Sequence, residues 1–269
     1  MIFKKIFKSS YDRNFILIFF VSILFVGLIA GYKLFFFKST YVYVKVKIGQ
    51  CNWWAGTSKP PIWFIRSLKK GDTEKNLLNR PFATILHVRY YPWPATTQYD
   101  VYVSLKLRVN KNPKTGKYNF KRSTIGVGSS IDLEFPSVQF SGTVIDLNEK
   151  PPQEMYVTKT VTITKRTAYS WEYEAIQIGD TYFDGEDKTI EIVDKKASDL
   201  SPQSFFDSYG YSLSTLDPRK YITVRLKMKL MKTDDGLVLG EEQLINPGKW
   251  IYLSTKNFTF NDYFVGTIE

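Results

Sequence analysis

The 269-residue chain contains one cysteine, Cys51, and one histidine, His87. A single cysteine excludes an internal disulfide framework and the structural zinc sites that need several cysteines, and a single histidine excludes metal sites built on paired histidines. Nucleotide-binding, metalloprotease and calcium-loop motifs are also missing. The sequence therefore indicates no metal, no cofactor and no catalytic residues.

The chain also lacks a long basic run, although Lys and Arg (37) outnumber Asp and Glu (26) and give a net charge of +11. Residues 1–38 hold six of the basic residues and one acid, so nearly half of the excess lies in this short segment. Nucleic-acid-binding proteins usually concentrate their positive charge on one stripe. We therefore expect no nucleic-acid partner.

An uncharged run of 19 residues extends from Asn14 to Tyr32. As a helix it would rise roughly 28 Å, close to the thickness of the hydrocarbon core of a bilayer. A buried core helix would be shorter and amphipathic, and a cleaved signal peptide would need a small-x-small site that Leu28-Ile29-Ala30 does not supply. The run predicts a transmembrane helix over residues 14–37.

The four basic residues of the first 13 positions are matched in number by Lys33, Lys38, Lys45 and Lys47 on the other side of the uncharged run, so charge alone does not fix the orientation. A short tail is easily retained, which favours residues 1–13 as a cytoplasmic tail of a single-pass cell-membrane protein with its C-terminal domain extracytoplasmic. Gly27 and Gly31 form a small-xxx-small pattern that lets two helices approach closely, which would support a homo-oligomer.

Beyond Lys38 the hydrophobic period is two. Valine and isoleucine alternate with polar residues from Val42 to Ile48, and the same pattern extends from Val101 to Val109. Strict alternation is typical of antiparallel strands with one buried and one solvated face.

The order of features then repeats. Gly71-Asp72-Thr73 returns as Gly179-Asp180-Thr181, and the alternating strand at Val101 returns at Ile222. Further pairs are Gly128 with Gly248, and Gly142-Thr143-Val144 with Gly266-Thr267-Ile268. The sequence predicts a mainly β protein with two tandem copies of a small antiparallel barrel or sandwich. The copies span residues 41–147 and 155–269, with a linker at 148–154, and could pack as one unit.

Asp72 and Asp180 are the only ionisable residues that the copies share at a sharp motif. They could form a carboxylate dyad for acid–base chemistry. Alternatively, each side chain could hydrogen-bond the backbone of its own turn, and the turn would appear twice because the fold is duplicated. The turn interpretation is favoured.

Each copy carries an aromatic connection before its long alternating strand, and these two connections differ in length and sequence. Exposed rings there would suit glycan stacking or a protein interface, whereas buried rings would only cover the ends of the sheets. The predicted contact residues are Tyr90, Tyr91 and Trp93 in the first copy, and Phe205, Phe206, Tyr209 and Tyr211 in the second.

A second aromatic cluster comprises Cys51-Asn52-Trp53-Trp54 and Trp63-Phe64, with Tyr169-Ser170-Trp171 as its counterpart. It could form a membrane-proximal belt or fill the core. Core filling is the interpretation that we favour.

The chain resembles an uncharacterised bacterial family of membrane-anchored proteins with a domain of unknown function. The resemblance lies in the order of its features: a membrane helix, a strand, an aromatic segment, a Gly-Asp turn, a Lys-rich alternating strand and a late glycine-containing strand. The resemblance implies a bitopic β-rich protein and no known activity or site residues.

Three functions remain open. The first is a non-catalytic envelope protein that is anchored in the membrane and contacts itself or another envelope protein. The second is a module that binds an envelope polymer such as a glycan through its aromatic loops. The third and least favoured is an anchored hydrolase.

Overall fold

The computed structural model describes residues 10–36, 40–49, 59–76, 79–93, 97–200 and 219–269. It falls into two compact units that divide between Thr40 and Tyr41. The first contains helix α1, Ser10–Phe36, over the predicted apolar run. The large apolar side chains described on α1 are exposed. In the part of the chain that the structure describes, no helix combines the length and the apolar character needed to cross a membrane, so the predicted span is not confirmed.

The second unit contains two antiparallel sheets of eight strands each. The first sheet and its short helix comprise β1 (Thr40–Ile48), α2 (Ile62–Ser67), β2 (Thr73–Lys75), β3 (Pro81–Pro92), β4 (Tyr99–Lys111), β5 (Tyr118–Phe120), β6 (Ser123–Ile125), β7 (Ser130–Glu134) and β8 (Gln139–Asn148). The second comprises β9 (Tyr156–Ala168), α3 (Ser170–Ala175), β10 (Thr181–Phe183), β11 (Lys188–Asp199), β12 (Lys220–Thr233), β13 (Gly236–Leu239), β14 (Gln243–Leu244), β15 (Trp250–Ser254) and β16 (Thr259–Ile268).

The strand orders of the two sheets are equivalent. The first runs β2-β3-β4-β1-β8-β7 and the second β10-β11-β12-β9-β16-β15, and each carries a two-strand extension on its third strand. The alternating strands predicted at Val101 and Ile222 are β4 and β12, which take the same place in their sheets. The predicted duplication is thus confirmed as two similar curled sheets, each an open half-barrel.

Each sheet buries the alternating residues that the sequence pattern marked. On β4, Val101, Val103 and Leu105 are fully buried, and on β12 Ile222, Val224 and Leu226 are buried equally. The two copies have separate hydrophobic clusters. Burying an aliphatic side chain of this size contributes about 1.5–3 kcal/mol, so each copy has the core of a small β domain.

The repeated Gly-Asp motif forms the same turn twice. Gly71 and Gly179 both have φ of 87°, a conformation that glycine adopts at low cost. Their N–H groups donate to the carbonyl oxygens of Ile85 (2.9 Å) and Ile192 (2.8 Å), which are equivalent positions on β3 and β11.

One predicted correspondence is wrong by three residues. Gly128 donates to the carbonyl oxygen of Val144, and Gly248 donates to that of Val265, so Val144 and Val265 are equivalent. Gly142 therefore corresponds to Tyr263 and not to Gly266. The second copy holds one more residue here, next to Asp262 with φ of 62°, which shifts the register by one residue. The predicted match rested on the Gly-Thr letters alone, and these letters occupy different positions in the two strands.

Candidate functional site: the cleft between the two copies

The predicted contact residues of the first copy lie at the end of β3, where the two copies meet. The N–H of Tyr90 donates to the carbonyl oxygen of Asp184 (2.9 Å), and the hydroxyl of Tyr182 donates to the carbonyl oxygen of Tyr90 (2.7 Å). The hydroxyl of Tyr91 donates to Asp184 Oδ2 (2.9 Å). Tyr90 and Tyr91 therefore join the copies, whereas Trp93 remains 45% exposed.

The other predicted contacts have different outcomes. Phe205, Phe206, Tyr209 and Tyr211 lie outside the described residues. Gly27 and Gly31 lie on α1, and space is open around the position that a Cβ at Gly27 would take.

The cluster assigned to core filling divides in two. Phe64 packs against the core of the first copy, but Trp63 is 69% exposed. Trp171 is 59% exposed at the second position of α3, as Trp63 is on α2. The core interpretation of Trp63 and Trp171 is therefore wrong, because a six-residue helix buries one face only and both tryptophans lie on the other. Residues 51–54 lie outside the described range.

Two glycines let the second copy approach the first closely. A Cβ at Gly185 would lie 2.5 Å from the carbonyl oxygen of Val88, and one at Gly240 would lie 3.2 Å from the ring of Tyr91. A side chain at Gly185 would clash with the backbone of the first copy, and one at Gly240 would crowd the Tyr91 ring.

A cluster of ion pairs also crosses the interface between the copies. Lys45 Nζ lies 2.6 Å from carboxylate oxygens of both Glu154 and Glu241. Arg89 lies 2.7 Å from Glu154 and 3.5 Å from Asp184, and it also contacts the hydroxyl of Tyr156. The cations come from the first copy, and the anions come from the linker and the second copy, so the charge of the two faces is complementary.

Burial and pairing shift the pKa values of this ion cluster in opposite directions. Burial alone would raise the pKa of Glu154, but hydrogen bonds from Lys45 and Tyr156 lower it to about 2. Burial raises the pKa of Glu241 even though Lys45 lies beside it, partly because Glu154 adds a like charge. Charged Glu154 thus favours the native interface, whereas charging Glu241 opposes it.

Next to the ion cluster the copies enclose an open cleft of about 490 Å³. This volume is within the usual range of small-ligand sites, about 300–1,000 Å³. Its lining includes five aromatic residues, which are Tyr91, Trp93, Tyr102, Tyr182 and Tyr252. It also includes three carboxylates, which are Asp100, Glu241 and Glu242.

Lysines pair with the carboxylates of the cleft. Asp100 lies 2.7 Å from Lys59, and Glu242 lies 2.6 Å from Lys47. Lys59 Nζ also lies 3.1 Å from the centre of the Trp93 ring, a cation–π contact that fixes this exposed ring. Burial next to Glu242 and Asp100 raises the pKa of Tyr102, so its hydroxyl stays protonated.

Sequence reasoning found Tyr91 and Trp93 but missed most of the cleft, including Tyr102, Tyr182 and Tyr252. Tyr102 lies on a strand that the alternation marked, whereas Tyr182 and Tyr252 lie on β10 and β15, which were not predicted from the sequence. A usable signal was present, because Tyr252 occupies an outward position that the equivalent strand of the first copy fills with Asp132.

Among the described residues, no group of three or more histidine, cysteine, aspartate or glutamate side chains could hold a metal ion. No protein-family model matches the chain, and no curated protein or solved structure does so. The family resemblance stated above stays an expectation of the sequence.

Proposed function

We propose that the chain is a non-catalytic envelope protein, anchored in the membrane, whose paired β copies contact an extracytoplasmic partner or polymer through the cleft. The observation that carries this proposal is the cleft itself, which exists only because the two copies pack together and which exposes Trp93 and Tyr252 at its surface. Rings fixed on rigid strands bind with little loss of side-chain freedom.

The charges of the cleft favour binding over catalysis. A general acid or base needs a carboxylate free to exchange a proton at working pH. Here Asp100 and Glu242 pair with lysines within 2.7 Å. Burial raises the pKa of Glu241, but its side chain is only 4% exposed and pairs with Lys45, and among the described residues no unpaired carboxylate lines the cleft to act with it. We therefore favour a binding role over an anchored hydrolase.

Photocrosslinking in intact cells tests the cleft as the contact site. A photoreactive amino acid replaces Tyr252 in one variant and Trp171, an exposed ring that does not line the cleft, in the other. We expect a discrete adduct from position 252 and none of the same size from position 171. Equal adduct patterns at both positions, or none at position 252, would contradict the proposal.

The anchor rests on the sequence, in the uncharged run from Asn14 to Tyr32 and the basic residues on either side of it. Carbonate extraction should leave the full-length chain in the membrane pellet, and protease added to intact spheroplasts should digest the β unit. Release of full-length protein by carbonate would rule out the span, and a protected β unit would reverse the orientation.

Self-association through α1 is a second candidate, since Gly27 leaves open space on a helix whose described large apolar side chains are exposed. Gly27→Ile should lower the apparent mass of a detergent-solubilised complex if this glycine forms a helix contact. Phe25→Ile, a change of similar apolar character two residues away, serves as the control. An unchanged mass in both variants would remove this candidate.

A further inference from the structure

The two copies provide an internal control that separates residues needed by the fold from residues needed by the site. On the edge strand β15, Ile251 and Leu253 are buried, as Ile131 and Leu133 are on the equivalent strand β7. The outward residues between them differ. Trp250 and Tyr252 on β15 stand where β7 has Ser130 and Asp132. The fold therefore requires the inward aliphatic residues and not the outward rings.

The same contrast holds inside the cleft. Tyr102 on β4 corresponds to Thr223 on β12, and Tyr182 on β10 corresponds to Glu74 on β2. Each ring belongs to one copy only, and together the rings converge on the cleft. Tyr182 bonds across the copies and Tyr102 is buried, so these two rings form the wall of the cleft, whereas Tyr252 is half exposed and open to a ligand.

The rings also indicate the shape of that ligand. Trp250 and Tyr252 lie two residues apart on the outer face of β15, a separation of about 7 Å along a strand. Both are half exposed, and Trp250 packs against Phe264 with 4.0 Å between ring centres. Of these two residues, Tyr252 lines the cleft and Trp250 does not. The pair of rings therefore extends the aromatic surface from the cleft along the edge strand β15. An extended ligand would contact both rings.

The charges indicate its chemistry. Carboxylates beside aromatic rings can accept hydrogen bonds from hydroxyl groups, while the rings pack against the apolar face of a sugar. The described lining of the cleft contains three carboxylates and no lysine, and Lys47 and Lys59 are neutralised by two of these carboxylates, so the site has no excess of positive charge to attract an acidic ligand. Acidic polymers are therefore disfavoured.

We propose that the cleft binds a neutral glycan chain, which stacks on Tyr252, is oriented by Asp100 and Glu242, and leaves the cleft along β15 over Trp250. This inference rests on the proposed function and adds the class of ligand.

Isothermal titration of the full-length chain in detergent tests the ligand class. The probes are neutral hexasaccharides of glucose, mannose, galactose and N-acetylglucosamine, the matching disaccharides, a hexamer of galacturonic acid, and spermidine as a cationic probe. We expect at least one neutral hexasaccharide to bind, with no binding of the galacturonic acid hexamer or of spermidine.

Three variants locate the binding. Tyr252→Ala should weaken binding of the hexasaccharide by about two- to tenfold, in line with the loss of one stacked ring. Trp250→Ala should weaken the hexasaccharide and leave the disaccharide unchanged, because only the longer chain reaches β15. Trp171→Ala should bind like the wild type, and equal thermal midpoints for all variants exclude misfolding.

The outcomes separate the ligand class from the function. Binding of spermidine alone, or of the acidic hexamer in preference to the neutral ones, overturns the glycan inference and leaves the cleft as a binding site. Failure of every neutral hexasaccharide overturns the inference as well, while the crosslink at position 252 decides the proposed function on its own. Binding that Tyr252→Ala leaves intact places the glycan elsewhere and contradicts this proposal.

Discussion

Tyr91 and Asp184 belong to different copies, and the hydroxyl of Tyr91 donates to Asp184 Oδ2 at 2.9 Å. Tyr91 also lines the cleft, so one ring both fastens the two copies together and shapes the site between them. The backbone N–H groups of Glu186 and Asp187 donate to the other oxygen of Asp184, Oδ1. The backbone of the second copy therefore fixes the orientation of this carboxylate, and its other oxygen accepts the hydrogen bond from Tyr91 of the first copy.

Arg89 should be the residue on which the pairing of the copies depends most. Replacing it with methionine leaves Glu154, Asp184 and Glu241 with too little positive charge in a buried site. Breaking a buried pair from one side costs about 3 kcal/mol or more. Urea denaturation of Arg89→Met should show a loss of this size. The control is Arg225→Met, which removes a half-exposed arginine 3.5 Å from Glu269 and should change the free energy of unfolding little. Equal losses in the two variants would show that the buried ion cluster contributes no more to stability than a surface ion pair.

Acid should weaken the fold through Glu154. Its pKa is lowered from 4.5 to about 2 in the native state, so the stability it contributes is present above pH 4.5 and is lost as the pH falls towards 2. Glu154→Gln removes this titration. The difference in unfolding free energy between wild type and Glu154→Gln should shrink steadily across that window, and a constant difference would contradict the assigned pKa.

Gly185 should tolerate alanine poorly because of its neighbour and not only because of its backbone. Gly179 is a matched control, since both glycines have positive φ but only Gly185 lies against the other copy. Gly179→Ala reports the backbone strain alone. Gly185→Ala should cost more than this by about 1–3 kcal/mol, measured by thermal unfolding, and equal costs would mean that the copies can separate freely at this point.

Asp180 should matter more to stability than Asp72, although the two occupy the same turn. Asp180 Oδ2 accepts from Thr255 Oγ1 (2.5 Å) and from the N–H of Asn257 (3.0 Å), and Oδ1 accepts from the N–H of Thr181. Asp72 accepts from Ser137 Oγ. Asp180→Ala should therefore cost about 2 kcal/mol and Asp72→Ala about 1 kcal/mol in chemical denaturation. The reverse order would show that these bonds do not set the strength of the turn.

The fold was largely predictable because period-two alternation and turn glycines are local signals. Val101 and Ile222 each report the buried face of their own strand, so two similar sheets could be expected before their pairing was known. The extra residue next to Asp262 could not be placed, since a bulge changes the register without changing the surrounding pattern.

The site was less predictable because it lies between the copies. Glu241 and Lys45 are 196 positions apart in the chain and 2.6 Å apart in space, and neither stands in a motif. Tyr91 and Trp93 could be named because they stand in a conspicuous aromatic segment. Trp63 was misassigned because aromatic composition alone does not tell which side of a short helix faces the core.

The two faces that form the ion cluster differ between the copies. The turn that carries Glu241 and Glu242 in the second copy carries Lys121 and Arg122 in the first, and Thr162 and Thr164 stand on β9 where β1 has Lys45 and Lys47. The acidic turn and the basic face thus occur once each, on opposite partners. The two faces that these copies leave unpaired lack the same charges, so a second interface of the same kind would not form these ion pairs.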